Sequence, residues 1–165
     1  MAIRKIRTDE DPILRKKSRV ISNFNSDLKN LEADMYETMY QAEGVGLAGV
    51  QVGILKRIFV IDDHDGTKIT FINPTIEETI GEVEGFEGCL SVPDRMGKID
   101  RAESIKISYF DIEGNPHELQ ATDFLARIIQ HENDHLDGIL YIDKAKEIYD
   151  TEESEDTEKP EEVEE

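Results

Sequence analysis

Gln130-His131-Glu132-Asn133-Asp134-His135-Leu136-Asp137-Gly138 is the stretch on which the reading of this chain turns. Two histidines stand four positions apart, with a glutamate beside the first. At about 100° of rotation per helical residue, His135 lies about 40° around from His131, and Glu132 about 100°. Two imidazoles and a carboxylate therefore enter one sector of a helix. That geometry holds a divalent metal and keeps a base beside its water. The same string arises by chance in long helices, so its context matters. The preceding run, Phe124-Leu125-Ala126-Arg127-Ile128-Ile129, is apolar enough to bury most of a helix. Thr122 or Asp123 serves as N-cap and Gly138 as the stop. Histidines on a buried helix need partners, because an unsatisfied buried polar group costs about 1–3 kcal/mol. A metal supplies a partner to both at once.

A catalytic metal site takes three protein ligands and one open position. Working outward, Glu87-Gly88-Cys89-Leu90-Ser91-Val92-Pro93 offers the third. A lone cysteine is most often a small buried hydrophobe. Cys89, however, follows a glycine and precedes a Pro-terminated turn, which suits a side chain held in one direction. Its thiolate would also bring one compensating charge. The competing ligands are Glu152 and Glu153, as in a zincin-like peptidase with a downstream carboxylate. They lie in a charged tail with nothing apolar to fix them, whereas a ligand must be placed within a few tenths of an ångström. Cys89 is the preferred third ligand.

Toward the N-terminus, Gly44-Val45-Gly46-Leu47-Ala48-Gly49-Val50-Gln51-Val52-Gly53 sets four glycines among small apolar residues. Such a backbone must bend or be approached closely. It lacks the spacing and Lys-Ser/Thr ending of a phosphate loop. Gln51, the lone amide in the run, reads by itself as structural. Before it, Leu28, Leu31, Met35, Met39 and Ala42 recur at helical spacing and predict a helix from a Ser26 cap to about Glu43. Residues 1–25 read as irregular, with Arg15-Lys16-Lys17 a solvated patch. Strands are expected at Arg57–Asp62 and Lys68–Asn73 around an Asp65-Gly66 turn, with Pro74 ending the second. Thr75–Glu84 reads as an exposed strand. Ser104–Phe110 alternates cleanly and turns through Glu113-Gly114-Asn115 into His117–Ala121. His64 and His117, near turns, read as surface histidines.

The chain has 165 residues, one cysteine and a formal charge of −19. The length suits one domain that buries about 70% of its unfolded surface. From Glu152 to Glu165 nine acidic residues face Lys159 alone. After Ile142 the apolar pattern fades, and the tail is expected to be disordered unless Lys144–Tyr149 extends helically into it. The acidity argues against nucleic acid as a direct partner. A single cysteine excludes an internal disulfide and suits a reducing cytosol. No signal peptide or membrane-spanning segment is read, so a soluble cytoplasmic protein is expected. The predicted fold class is α+β. Antiparallel β-sheets pack around a central helix carrying the His-Glu-x-x-His motif, with an N-terminal helix. Residues 1–148 form the catalytic domain and 149–165 the acidic tail.

The Gly44–Gln51, Glu87–Ser91 and Gln130–Gly138 stretches, in this order and spacing, resemble the three signature motifs of peptide deformylase. The resemblance covers about residues 1–145. It implies Cys89, His131 and His135 as metal ligands, Glu132 as catalytic acid/base, and Gln51 with the Leu90 N–H as oxyanion donors. It also implies substrate contacts by Gly44, Val45 and Gly46, and a methionine pocket near Val45, Phe124 and Ile128. The implied cofactor is one divalent ion, natively Fe2+, with Zn2+, Ni2+ or Co2+ able to take its place. The implied reaction removes the N-formyl group from the initiator methionine of nascent peptides, which brings transient ribosome proximity. Two features depart from the family: Gly49, where alanine is common, and an acidic tail where some members carry a basic ribosome-docking segment. The readings left beside this one are a metallopeptidase cutting internal bonds and a non-catalytic, metal-stabilised peptide-binding module with a fourth protein ligand.

Overall fold

A computed structural model describes residues 2–151. Two helices, α1 (Ser26–Gln41) and α2 (Asp123–Leu136), accompany eight strands. The strands are β1 (Gly46–Ala48), β2 (Ile58–Asp62), β3 (Lys68–Ile80), β4 (Val83–Cys89), β5 (Val92–Arg101), β6 (Ser104–Phe110), β7 (Pro116–Thr122) and β8 (Glu147–Asp150). One sheet runs β1-β2-β3-β6-β7 and a second runs β4-β5-β8, with every pair antiparallel. No helix among the described residues is long and apolar enough to cross a membrane.

The first sheet is covered on both faces at β2. Side chains alternate across a strand. Phe59 and Ile61 join Ala126, Ile128, Ile129 and Leu136 of α2 in one core, while Ile58 and Val60 join Leu28, Leu31, Met35 and Met39 of α1 in another. This explains why Ile58–Ile61 reads as a continuous apolar run. Each such side chain, fully buried, contributes about 1.5–3 kcal/mol. A third core of Leu14, Val92, Ile99, Leu140 and Tyr141 lies under the second sheet.

Several boundaries differ from the sequence reading. The cap of α1 is Asn25, whose side chain accepts from the Leu28 N–H at 3.1 Å, and Ser26 is the first helical residue. Pro74 does not end β3. The strand passes it through a bulge, with a register shift between Ile72 and Thr75 and Asn73 at φ 49°. A proline, lacking an N–H, is tolerated at such a bulge. The Asn73 side chain pairs with both backbone groups of Ile21 at 2.8 Å and holds the kink. The strand expected to run to Glu84 instead ends at Ile80, and Gly81 at φ 71° turns the chain into β4. The Glu87–Pro93 stretch is strand on both sides of a tight Leu90-Ser91 turn. Lys144–Tyr149 is not helical. Ile148 and Tyr149 suit a strand and pair with the open side of β5, so β8 crosses the expected 148/149 boundary. Of the 149–165 tail expected to be disordered, Tyr149 and Asp150 belong to β8, and residues 152–165 lie outside the described residues.

Gly138 stops α2 as read. It sits at φ 75°, and an added Cβ would collide with the Arg15 backbone. Within the basic patch, Arg15 is tied to Asp143.

Candidate metal centre

Strands β1 and β4 are edges of their respective sheets, and α2 lies against β1. Between them is a cavity of about 370 Å³. Gly44, Val45, Gly46, Gln51, Cys89, Leu90, Phe124, Ile128, His131 and Glu132 all line it. The three stretches singled out in the sequence are therefore brought to one place. Ligand atoms of Cys89, His131 and His135 lie within 4.8 Å of one another, and Cys89 Sγ is 3.4 Å from His135 Nε2. Four-coordinate metal–ligand bonds of about 2.0–2.3 Å need donors roughly this close. Glu152 and Glu153 lie outside the described residues. His64 and His117 belong to no such cluster, and His117 bonds Asp111 at 2.7 Å.

The electrostatics suit a cation. His131 and Glu132 are buried and His135 is fully so. Burial works against a charged His131, but its bonds to Cys89 and Glu87 outweigh this and hold its pKa well above the ordinary value. Burial, then the neighbouring His131, holds His135 well below its usual value. Glu132 is pushed up to about 7, first by burial and then by the Glu87 charge, against the pull of His131 and Arg101. One Glu132 oxygen is buried without a hydrogen-bond partner, an acceptor that a reacting water would satisfy. The donor set and this acceptor fit a divalent ion with an open position.

Gly46 makes the approach of Glu132 to β1 feasible, since a Cβ there would stand 2.6 Å from Glu132 Oε2. Gln51 opens no ambiguity about its amide. Its Oε1 accepts from the Ala48 N–H at 2.9 Å, so Nε2 turns toward Ser91 Oγ at 3.1 Å and Cys89 Sγ at 3.6 Å. Leu90 forms the turn directly after the thiol.

The sequence reading missed Glu87, although it stands two residues before Cys89. Its Oε1 meets His131 Nδ1 at 2.8 Å, leaving Nε2 for a metal. Arg101 grips both its oxygens at 2.9 and 3.0 Å, and Arg127 adds a contact at 2.8 Å. Arg101 also reaches Asp134 at 2.6 Å. Burial raises the Glu87 carboxyl, but the bonds from His131 and Arg101 prevail and leave its pKa lowered to about 2. Arg127 was the visible signal: a cation inside an apolar helical run requires a buried anion.

A half-buried thiol, two buried imidazoles and a carboxylate with one partnerless oxygen under an open cleft define a class, the metal-dependent hydrolases. The family described as polypeptide deformylase matches residues 3–150. The chain is 56% identical to peptide deformylase 1 of Clostridium perfringens over 144 residues, 87% of this chain and 98% of the relative. It is 50% identical to the Finegoldia magna peptide deformylase, over 87% and 90%. The solved peptide deformylase of Thermotoga maritima superposes with a TM-score of 0.86 at 39% identity, covering 89% of this chain and 100% of that one. That of Legionella pneumophila gives 0.85 at 41%, covering 88% and 87%. The chain belongs to the peptide deformylase family, metal-dependent hydrolases that remove the N-formyl group from nascent peptides.

Proposed function

We propose that Glu132 is the acid/base of this deformylase and that Cys89, His131 and His135 hold its metal. The observation that carries this is the partnerless Glu132 oxygen, buried beside the three donor atoms and beneath β1. When bound, the divalent ion supplies Lewis acidity and lowers the pKa of its water. Fe2+ is the native ion in this reading, and Zn2+, Ni2+ or Co2+ can replace it. Glu132 takes the proton of the attacking water and passes it to the leaving amine as formate departs. Charge develops on the formyl oxygen, where Gln51 Nε2 and the Leu90 N–H donate to it. The substrate backbone adds as a strand along Gly44, Val45 and Gly46. Its methionine side chain enters between Val45, Phe124 and Ile128. Main-chain pairing ignores side-chain identity, which suits an enzyme that meets many sequences.

The catalytic domain in this proposal runs past the 148/149 boundary read from the sequence to Asp150, the end of β8, and the acidic tail follows. The protein works in the cytoplasm with transient ribosome proximity, and its net acidity disfavours direct nucleic-acid contact. Formate released from a formyl-Met peptide by iron-loaded protein under anaerobic conditions is the expected result. Cleavage of unformylated peptides without formate would overturn it in favour of a peptidase.

A further inference from the structure

The apolar lining of the cavity does not stop at its mouth. Phe86 lines the cavity yet is 57% exposed, whereas His131, Glu132 and Gln51 are buried at its floor. In the second sheet Phe86 pairs with Lys98, Lys98 with Glu147, and Met96 with Tyr149. Paired residues, and residues two apart on one strand, share a face. Phe86, Met96 and Tyr149 therefore stand together on the outer face. The Phe86 and Tyr149 rings meet across β5 with centroids 6.1 Å apart at 54°, within the range of favourable tilted pairs. Met96 and Tyr149 are 40% and 42% exposed. The charges nearby neutralise one another: Lys98 and Lys146 both reach Glu84, and Lys146 reaches Asp100 at 3.0 Å. Phe86, Met96 and Tyr149 thus leave an exposed apolar patch on this face, and Phe86 joins it to the cleft.

We propose that Phe86, Met96 and Tyr149 form a subsite for an apolar or aromatic side chain following the substrate methionine. Tyr149 is its positioning residue, holding the Phe86 ring at the cavity mouth. This rests on the deformylase reading above, because a peptide whose formyl end reaches Glu132 must leave past Phe86. Among the described residues the Tyr149 hydroxyl bonds Glu147 of its own strand, so the ring, not the hydroxyl, does the positioning.

The test compares formate release from formyl-Met-Phe-Ser, formyl-Met-Ser-Phe and formyl-Met-Ser-Ser. The wild-type protein prefers one of the Phe peptides about three- to tenfold, the range of a single aromatic contact. Tyr149→Ala abolishes that preference, chiefly through KM. Tyr149→Val, which keeps a strand-forming side chain, does the same, and Tyr149→Phe retains the preference. A wild-type protein indifferent to phenylalanine overturns the subsite, as does a preference that survives in both Ala and Val variants. Loss in Tyr149→Phe overturns the ring's role. If no formyl peptide releases formate, the deformylase reading itself has failed, and the subsite falls with it.

Discussion

The two sheets are built on opposite principles. The five-stranded sheet is buried on both faces at β2, where alternate side chains pack on α1 and α2. The three-stranded sheet has one small core and an open outer face. Its inner side delivers charged and reactive groups: Glu87, Cys89 and Arg101. One sheet supplies rigidity and a strand edge. The other supplies chemistry, and it is fastened to α2 by ion pairs more than by oil. The candidate site lies at the seam, with Cys89 and Glu87 from the less packed sheet meeting His131, Glu132 and His135 from the helix that packs on the other.

The sharpest way to break this division is to remove the thiol. Cys89→Ala should lose bound metal and all detectable deformylation while the α1 and α2 cores stay folded. Metal analysis beside circular dichroism checks it, and retained stoichiometric metal with normal turnover would exclude Cys89 as a ligand. Next, Glu132→Gln should keep the metal and lose about 10²–10⁴-fold in kcat. Near-normal turnover would remove Glu132 from the proton path. Gln51→Ala should cost roughly 10²–10³-fold in kcat, by comparison with other oxyanion donors. A change confined to KM would make Gln51 a binding group.

Glu87→Gln tests the seam itself. It strands two arginines and loosens His131, so metal affinity should fall about 10–100-fold and stability by roughly 3–5 kcal/mol. Unchanged zinc affinity by competition titration would show that His131 is oriented without it. The smallest effect belongs to the covered half. Asn25→Ala should cost about 1 kcal/mol of unfolding free energy, read by urea melts, with turnover intact.

How much could be read without coordinates follows the same division. The helical stripe from Leu28 to Met39, the alternation in Ser104–Phe110 and the His131–His135 spacing are local periodicities, and each falls on the element that it predicted. The second sheet carries no such period. In β5, Pro93, Asp94, Arg95 and Met96 are consecutively exposed, so nothing in the pattern marks a strand. Asn73 and Pro74 look like a stop because the cue is local, while the bulge that accommodates them depends on Ile21, far away in sequence. Gln51 by itself reads as structural; the resemblance gives it a role, and the contacts with Ala48 and Cys89 at its two ends give its amide a direction. Glu87 gains meaning only when Arg101, Arg127 and His131, from three separate elements, converge on it.

The open edges of β1 and β4 carry a further consequence. An unpaired strand edge is a standing hazard for self-association, and this fold faces two of them across one narrow gap. A peptide lodged there would stitch the two sheets into one continuous ladder, so occupancy should slow amide exchange in both strands at once.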